Sequence, residues 1–241
     1  MSADLELYND DCINILKEIE DNTIDLIITS PPYNLGHKNR KEVKDHSGII
    51  VKYNSYADNL PQKEYEKWQI QLLEECYRIL KPTGLLYYNH KERHYKGYYF
   101  NPLNLIQESS FNPLQTIIWK RGGITFNIGR FVNCYETINV AYKSKDYMRI
   151  NIASEKYFDI WDIPPDRNEH MVASFPLELP LRIIEAYTDY GELTVLDPFM
   201  GTGTTGLACR MTNNNFIGCE IDKSTYEYAT SRLKEYQTRL L

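Results

Sequence analysis

An α/β protein with a doubly wound, mostly parallel sheet is what the sequence predicts, and three observations carry that expectation. Short apolar, β-branched runs alternate with longer helical stretches along the chain, the pattern of strand-helix units in a parallel sheet. Residues 195–206, Val195-Leu196-Asp197-Pro198-Phe199-Met200-Gly201-Thr202-Gly203-Thr204-Thr205-Gly206, run from a strand through a glycine turn into a helix. Residues 29–34, Thr29-Ser30-Pro31-Pro32-Tyr33-Asn34, stop another strand with two prolines. Both turns fall at the carboxyl ends of strands, where sheets of this kind bind their ligands.

Seven strands and six helices follow in order. Leu5-Glu6-Leu7-Tyr8 reads as a short strand (5–8), and Asp10 or Asp11 can cap the helix expected over 12–19. Ile24-Asp25-Leu26-Ile27-Ile28 is a buried strand (24–29), ended where the prolines remove the N–H groups a ladder needs. A long helix over 62–80 stops at Pro82-Thr83-Gly84, and a strand over 84–89 follows. The pattern then predicts a helix over 98–109 and strands over 114–119 and 137–142. The stretch 145–170, rich in Asn and Asp and holding Pro164-Pro165, is expected to be an irregular insertion, too short for a second domain. A helix over 176–188, a strand over 194–197, a helix over 203–212, a strand over 215–219 and a helix over 223–239 complete the chain.

At 241 residues and 42% hydrophobic content the chain can bury a sizeable core in one domain spanning 1–241. No apolar run reaches the ~18–20 residues of a membrane span, and Met1-Ser2-Ala3-Asp4-Leu5-Glu6 lacks the basic and apolar regions of a signal peptide. The expectation is a cytoplasmic enzyme with no membrane partner. Cys12, Cys76, Cys134, Cys209 and Cys219 form no Cys-x-x-Cys pair, so neither a metal site nor a disulfide framework is expected.

The glycine turn carries the first piece of chemistry. Its glycines allow tight turning and close backbone approach, and the helix behind them starts with free N–H groups. Gly201-x-Gly203-x-x-Gly206 matches dinucleotide spacing, which brings a nicotinamide or flavin enzyme into consideration, while the absence of a following Lys-Ser or Lys-Thr argues against a triphosphate loop. Glu220, at the end of the strand over 215–219, is placed to accept hydrogen bonds from ribose hydroxyls. Asp197 tips the choice, because an acid before the glycines repels a pyrophosphate but suits the ammonium end of a methionine moiety. S-adenosylmethionine is the cofactor this combination favours.

Ser30-Pro31-Pro32-Tyr33 supplies the reactive side. Prolines leave carbonyls without strand partners, and a carbonyl and a hydroxyl can both accept hydrogen bonds from an NH₂ group. Acceptors on its two hydrogens favour a pyramidal nitrogen whose lone pair can attack a methyl sulfonium. Tyr33 offers a flat face on which a base can stack.

On these residues the chain resembles the DNA amino-methyltransferases of the β arrangement, whose catalytic motif precedes the cofactor motif. Ser30-Pro31-Pro32-Tyr33 is similar to that family's catalytic motif, and the run from Asp197 to Thr205 to its cofactor motif. Glu75 to Gly84 resembles the helix, turn and strand entry after the catalytic loop, and His170 to Leu179 the segment that helps hold the methionine end. The resemblance extends from Leu5 to Tyr236 and leaves only 36–60 and 121–170 without clear motifs. It implies a Rossmann-like methyltransferase fold with circularly permuted motif order, and site-specific DNA methylation with the target base flipped out. It also implies a cofactor site drawn from Asp11 (or Asp10), Cys12, Ser174, Asp197, Phe199, Gly201, Gly203, Thr204 and Glu220. Members with Ser at the first tetrapeptide position are mostly cytosine-N4 enzymes, so Ser30 favours cytosine over adenine-N6.

A formal net charge of −6 does not exclude double-stranded DNA as partner, because phosphate binding depends on local patches. Lys38, Arg40 and Lys41 follow the catalytic loop directly and suggest that 36–60 is a mobile loop closing over DNA. Lys120, Arg121 and Arg130 lie in a second basic stretch, and the insertion at 120–170 is the candidate for target recognition. So small a recognition segment points to a homodimer, and the resemblance to restriction-modification enzymes to a cognate endonuclease. Two other classes stay open at this stage, a nicotinamide-dependent oxidoreductase and a catalytically silent DNA-binding subunit.

Overall fold

The strand Ile24–Thr29 (β2) is buried at every residue, and it forms the middle of the sheet because its two faces feed two separate cores. Leu26 and Ile28 pack into one core and Ile24 and Ile27 into the other. The computed structural model describes residues 4–34, 43–44, 50–51, 59–95, 97–122, 131, 133–150, 158–165 and 175–239. Around β2 lie β1 (Leu5–Tyr8), α1 (Cys12–Glu18), the two-residue ladder β3 (Val43–Lys44) and β4 (Ile50–Val51), α2 (Gln62–Ile79) and β5 (Leu80–His90). Next come β6 (Arg93–Tyr95), β7 (Tyr98–Phe100), α3 (Leu103–Glu108), β8 (Asn112–Lys120), β9 (Tyr135–Tyr142) and β10 (Ile160–Asp162). The chain closes with α4 (Glu178–Glu185), β11 (Thr194–Asp197), α5 (Thr204–Met211), β12 (Asn215–Cys219) and α6 (Lys223–Arg239).

Among the described residues the main sheet has eight strands in the order β1-β12-β11-β2-β5-β9-β8-β10. The first five are parallel, β9 is antiparallel to both its neighbours, and β10 runs parallel to β8. Residues of α1, α2 and α3 share one core with Ile27, Leu86, Tyr88 and Leu196. Residues of α4, α5 and α6 share the other with Leu26, Leu85, Tyr87 and Val195. The result is the expected doubly wound α/β sheet, with each fully buried Leu or Ile contributing about 1.5–3 kcal/mol of apolar transfer.

Besides the short β3–β4 ladder and shifts of one to three residues at element ends, three elements depart from the sequence expectation. The eighth strand, β10, lies within 145–170; its three residues are too few to show a period, and it is held by pairing with β8 and by Trp119 Nε1 donating to the Ile163 carbonyl at 2.8 Å. The strand expected to start at 84 starts at Leu80, because the β2–β5 register shifts between Ile24 and Leu26 and takes up Lys81 to Gly84 as an irregularity. A β-carbon on Gly84 would sit 2.8 Å from the Asp25 carbonyl, so the close approach there requires glycine. The helix expected over 98–109 divides in two: Tyr98–Phe100 pairs with Arg93–Tyr95 as an antiparallel ladder, and Asn101 Oδ1 accepts from Leu103 N at 2.9 Å to start the shorter α3. No helix among the described residues is long and apolar enough to cross a membrane.

Candidate active site

Parallel pairing of β1, β12, β11, β2 and β5 brings their carboxyl ends to one edge of the sheet. The loop after β2 and the loop after β11 leave neighbouring strands, so the two motifs, far apart in sequence, lie side by side. Because β9 is antiparallel to β5, the start of β9 joins the same edge, with Thr137 opposite His90 and Ile138 opposite Asn89.

The tetrapeptide Ser30-Pro31-Pro32-Tyr33 closes a compact polar knot. Ser30 Oγ lies 2.8 Å from the Tyr33 hydroxyl and 3.1 Å from Asn89 Oδ1, which it can donate to. The Tyr33 hydroxyl reaches Asn89 Oδ1 at 2.9 Å and Glu136 Oε2 at 3.0 Å. Burial, reinforced by the negative charge of Glu136, pushes the Tyr33 phenol well above its usual range, so the group is a protonated donor. Its ring is half-buried against His90 at a centroid distance of 4.5 Å.

Two side chains brace the loop from behind. Tyr65 OH donates to the Pro32 carbonyl at 2.9 Å and stands 2.6 Å from His90 Nε2, while Arg93 Nη1 donates to the Asn34 carbonyl at 2.9 Å. Burial pulls His90 down to about 3, so this imidazole is neutral, with Nδ1 3.0 Å from the Lys91 carbonyl. Asn34 itself sits at a positive φ of 53°, a conformation Asn tolerates better than most residues.

The glycine loop is built around Asp197. This carboxylate is 1% exposed; Oδ1 accepts from Phe199 N at 3.1 Å and Oδ2 from Thr205 Oγ1 at 2.7 Å. Burial raises Asp197 to about 6, against the opposing pull of the Thr205 and Phe199 bonds. The acid expected to face a ligand ammonium is thus turned into the loop and holds its shape. Gly201 and Gly203 have positive φ of 51° and 78°, as a tight turn into α5 requires. Thr204 is buried, and Arg232 Nη1 donates to its Oγ1 at 3.2 Å and to the Thr202 carbonyl at 3.2 Å. Phe199 stays half-buried and meets Trp68 edge to face at 5.8 Å.

Glu220 follows β12, half-buried, with Oε1 accepting from Asp222 N at 2.8 Å. Burial raises its carboxyl above the usual value. Asp11 Oδ1 caps α1 by accepting from Ile13 N at 2.9 Å, and Asp10 Oδ1 accepts from Asp11 N at 2.6 Å. The β1 and β12 ends are tied together, since Glu220 N donates to the Tyr8 carbonyl at 3.0 Å. The Cys12 side chain is 5% exposed and belongs to the core beside Ile13 and Leu16, so it is the Cys12 backbone that a ligand could meet.

The basic residues divide. Arg121 Nη1 pairs with Glu136 Oε1 beside Tyr33, and its guanidinium lies 5.9 Å from the Trp119 ring centroid, so it joins the polar knot while its side chain stays 40% exposed at the surface. Lys120 pairs with Asp162 on the exposed edge at 2.5 Å, an ion pair of small worth that leaves the ammonium at the surface. Lys38, Arg40, Lys41, Arg130 and Ser174 lie outside the described residues, as does most of the loop expected over 36–60.

Asn89, His90, Tyr65 and Glu136 were not singled out by sequence reasoning. Asn89 closes an expected strand, the one signal that pointed to it; Glu136 precedes one, and reaches the site only because that strand runs antiparallel.

A model of the DNA methylase family matches residues 24–231. The Type II methyltransferase M.MjaI of Methanocaldococcus jannaschii is 31% identical over 93% of this chain and 90% of its own length. Type II methyltransferase M.HpaI of Haemophilus parainfluenzae is 30% identical over 95% of this chain and 74% of its own length. Among solved structures, the PvuII cytosine-N4-specific DNA methyltransferase superposes with a TM-score of 0.74 at 18% identity, covering 96% of this chain and 87% of that one. A putative DNA modification methylase from Thermus thermophilus, solved with S-adenosyl-L-methionine, gives 0.69 at 22% identity over 95% and 93% of the two chains. With the two motif loops on adjacent strands and the family match spanning nearly the whole sheet, the chain belongs to the DNA methylase family.

Proposed function

We propose that this chain transfers a methyl group from S-adenosylmethionine to the exocyclic amino nitrogen of a base flipped out of double-stranded DNA, and that the base is cytosine, methylated at N4. The observation that carries the reading is the adjacency of β2 and β11, which sets the Ser30-Pro31-Pro32-Tyr33 loop beside the Asp197 to Thr204 loop. The cofactor supplies an electrophilic methyl group on a sulfonium sulfur. A half-buried carboxylate at Glu220 fits ribose hydroxyls, and the positive-φ glycines let backbone approach a ligand closely.

Ser30 Oγ and the carbonyls of the proline loop accept hydrogens from the target amine. Tyr33 presents the free part of its ring to the base, and Pro31 and Pro32 hold the loop outside the strand ladder. A base inside a duplex cannot reach this loop, so flipping precedes transfer and costs a few kcal/mol. Lys38, Arg40, Lys41, Lys120 and Arg130 bind phosphates in this reading, with Asp11, Ser174 and Phe199 completing the cofactor site. A homodimer working in the cytoplasm beside a cognate restriction endonuclease extends the same proposal; the Type II naming of the relatives supports the restriction-modification setting alone.

Adenine-N6 is the second reading, favoured by the same observation that Ser30 offers an acceptor to any exocyclic amine. Incubating the protein with labelled cofactor and mixed-sequence DNA, then resolving the nucleosides by mass, tests both. N4-methylcytosine is the expected product; N6-methyladenine overturns the base, and no methylated nucleoside overturns transfer and leaves a silent DNA-binding subunit.

A further inference from the structure

We infer that Glu136 is a positioning residue for methyl transfer: it draws the Tyr33 proton away from Ser30, so that the Ser30 hydroxyl keeps its lone pairs for the target amine. The inference rests on the function proposed above. Among the described residues two hydroxyl protons enter the knot, those of Ser30 and Tyr33, and their oxygens lie 2.8 Å apart, so either can be the donor to the other. Two acceptors compete for them, Asn89 Oδ1 and Glu136 Oε2. Asn89 Nδ2 donates to the Thr137 carbonyl at 3.3 Å, which fixes the amide with its oxygen toward the hydroxyls. Arg121 engages the other oxygen of Glu136, which leaves Oε2 aimed at Tyr33.

A hydrogen bond to a carboxylate is about twice as strong as one between neutral groups. The Tyr33 proton therefore goes to Glu136 and the Ser30 proton to the Tyr33 oxygen or to Asn89 Oδ1, and in either case the Ser30 lone pairs are left for the approaching base. Without the carboxylate, the Tyr33 proton turns to Asn89 or to Ser30 Oγ. The Asn89 oxygen can accept both protons, but on Ser30, whose oxygen lies nearer to the phenol at 2.8 Å than Asn89 Oδ1 at 2.9 Å, the Tyr33 proton occupies a lone pair the amine requires. Glu136 is 3% exposed, so solvent does not take over its role.

Glu136→Gln tests this, because Arg121 retains the amide oxygen and the NH₂ then faces Tyr33 as a donor. At saturating DNA and cofactor, kcat is expected to fall about 10- to 100-fold, the size of one charge-assisted hydrogen bond, with both KM values changed less than about threefold. In a Tyr33→Phe background there is no phenol proton to direct, so the same substitution should change kcat less than about threefold. An equal loss in both backgrounds, or parental kcat in Glu136→Gln alone, overturns the inference. Should that variant unfold through the half-buried charge of Arg121, the double substitution Glu136→Met/Arg121→Met removes both charges and the acceptor; the same background-dependent loss is expected, and parental kcat overturns the inference. The parent chain separates the two levels: an active parent with an indifferent Glu136→Gln sinks only the role of Glu136, whereas a parent that transfers no methyl group sinks the functional reading and this inference with it.

Discussion

Thr205 Oγ1, in the first turn of α5, donates to Asp197 Oδ2 at the end of β11 across 2.7 Å, so one buried hydrogen bond fastens the helix to the strand on either side of the glycine turn. The carboxyl is raised to about 6 by burial. Below about pH 4 it is protonated in the folded and unfolded chain alike and costs nothing. As pH rises to about 6 the unfolded chain ionises first, and stability is lost up to the folded value, on the order of 3 kcal/mol by pH 7. Asp197→Asn cannot ionise, so the stability of the variant minus that of the parent should grow by this amount between pH 4 and pH 7. Denaturant titrations showing a difference independent of pH would assign the ionisation elsewhere.

In the proposed reaction Ser30→Ala removes an acceptor for the target amine and Tyr33→Ala removes the ring beside it. Each should lower kcat about 10²- to 10³-fold while cofactor affinity stays near the parent value. Parental turnover of either variant at saturating DNA contradicts the role given to that residue.

Glu220→Ala should weaken cofactor binding by about 1.5–3 kcal/mol, the loss of a charged acceptor. Gly203→Val should weaken it by another route. A β-carbon at Gly203 would meet Ala229 Cβ at 3.3 Å and Leu233 Cδ1 at 3.2 Å on α6, and φ is +78°, so the substitution strains the loop and its seat and does not protrude toward a ligand. Calorimetry should therefore show Glu220→Ala with a parental melting temperature and reduced affinity, and Gly203→Val with both reduced. Affinity unchanged in both variants places the cofactor elsewhere.

Neutralising Lys38, Arg40 and Lys41 together should weaken DNA binding and flatten its salt dependence, by about one unit of slope for each phosphate no longer neutralised. An unchanged slope removes 36–60 from the DNA interface. Light scattering at working concentration is expected to give a dimer; a fully active monomer refutes that state.

The sheet was legible because β2, β5, β11 and β12 are short apolar runs that only a buried strand accommodates, and the two motif loops were legible because proline and glycine act locally on φ and on hydrogen bonding. Sequence alone thus determined the α/β class, the methyltransferase family and the two loops from which the proposed site is built. Tertiary structure decided what those residues touch. Asp197 turned inward because its oxygens found Thr205 and Phe199 N, and Cys12 joined the core because α1 faces α2. Glu136 entered the site because β9 runs antiparallel beside β5, and Arg121 because β8 in turn pairs antiparallel with β9, strand directions set by long-range pairing that no local pattern encodes.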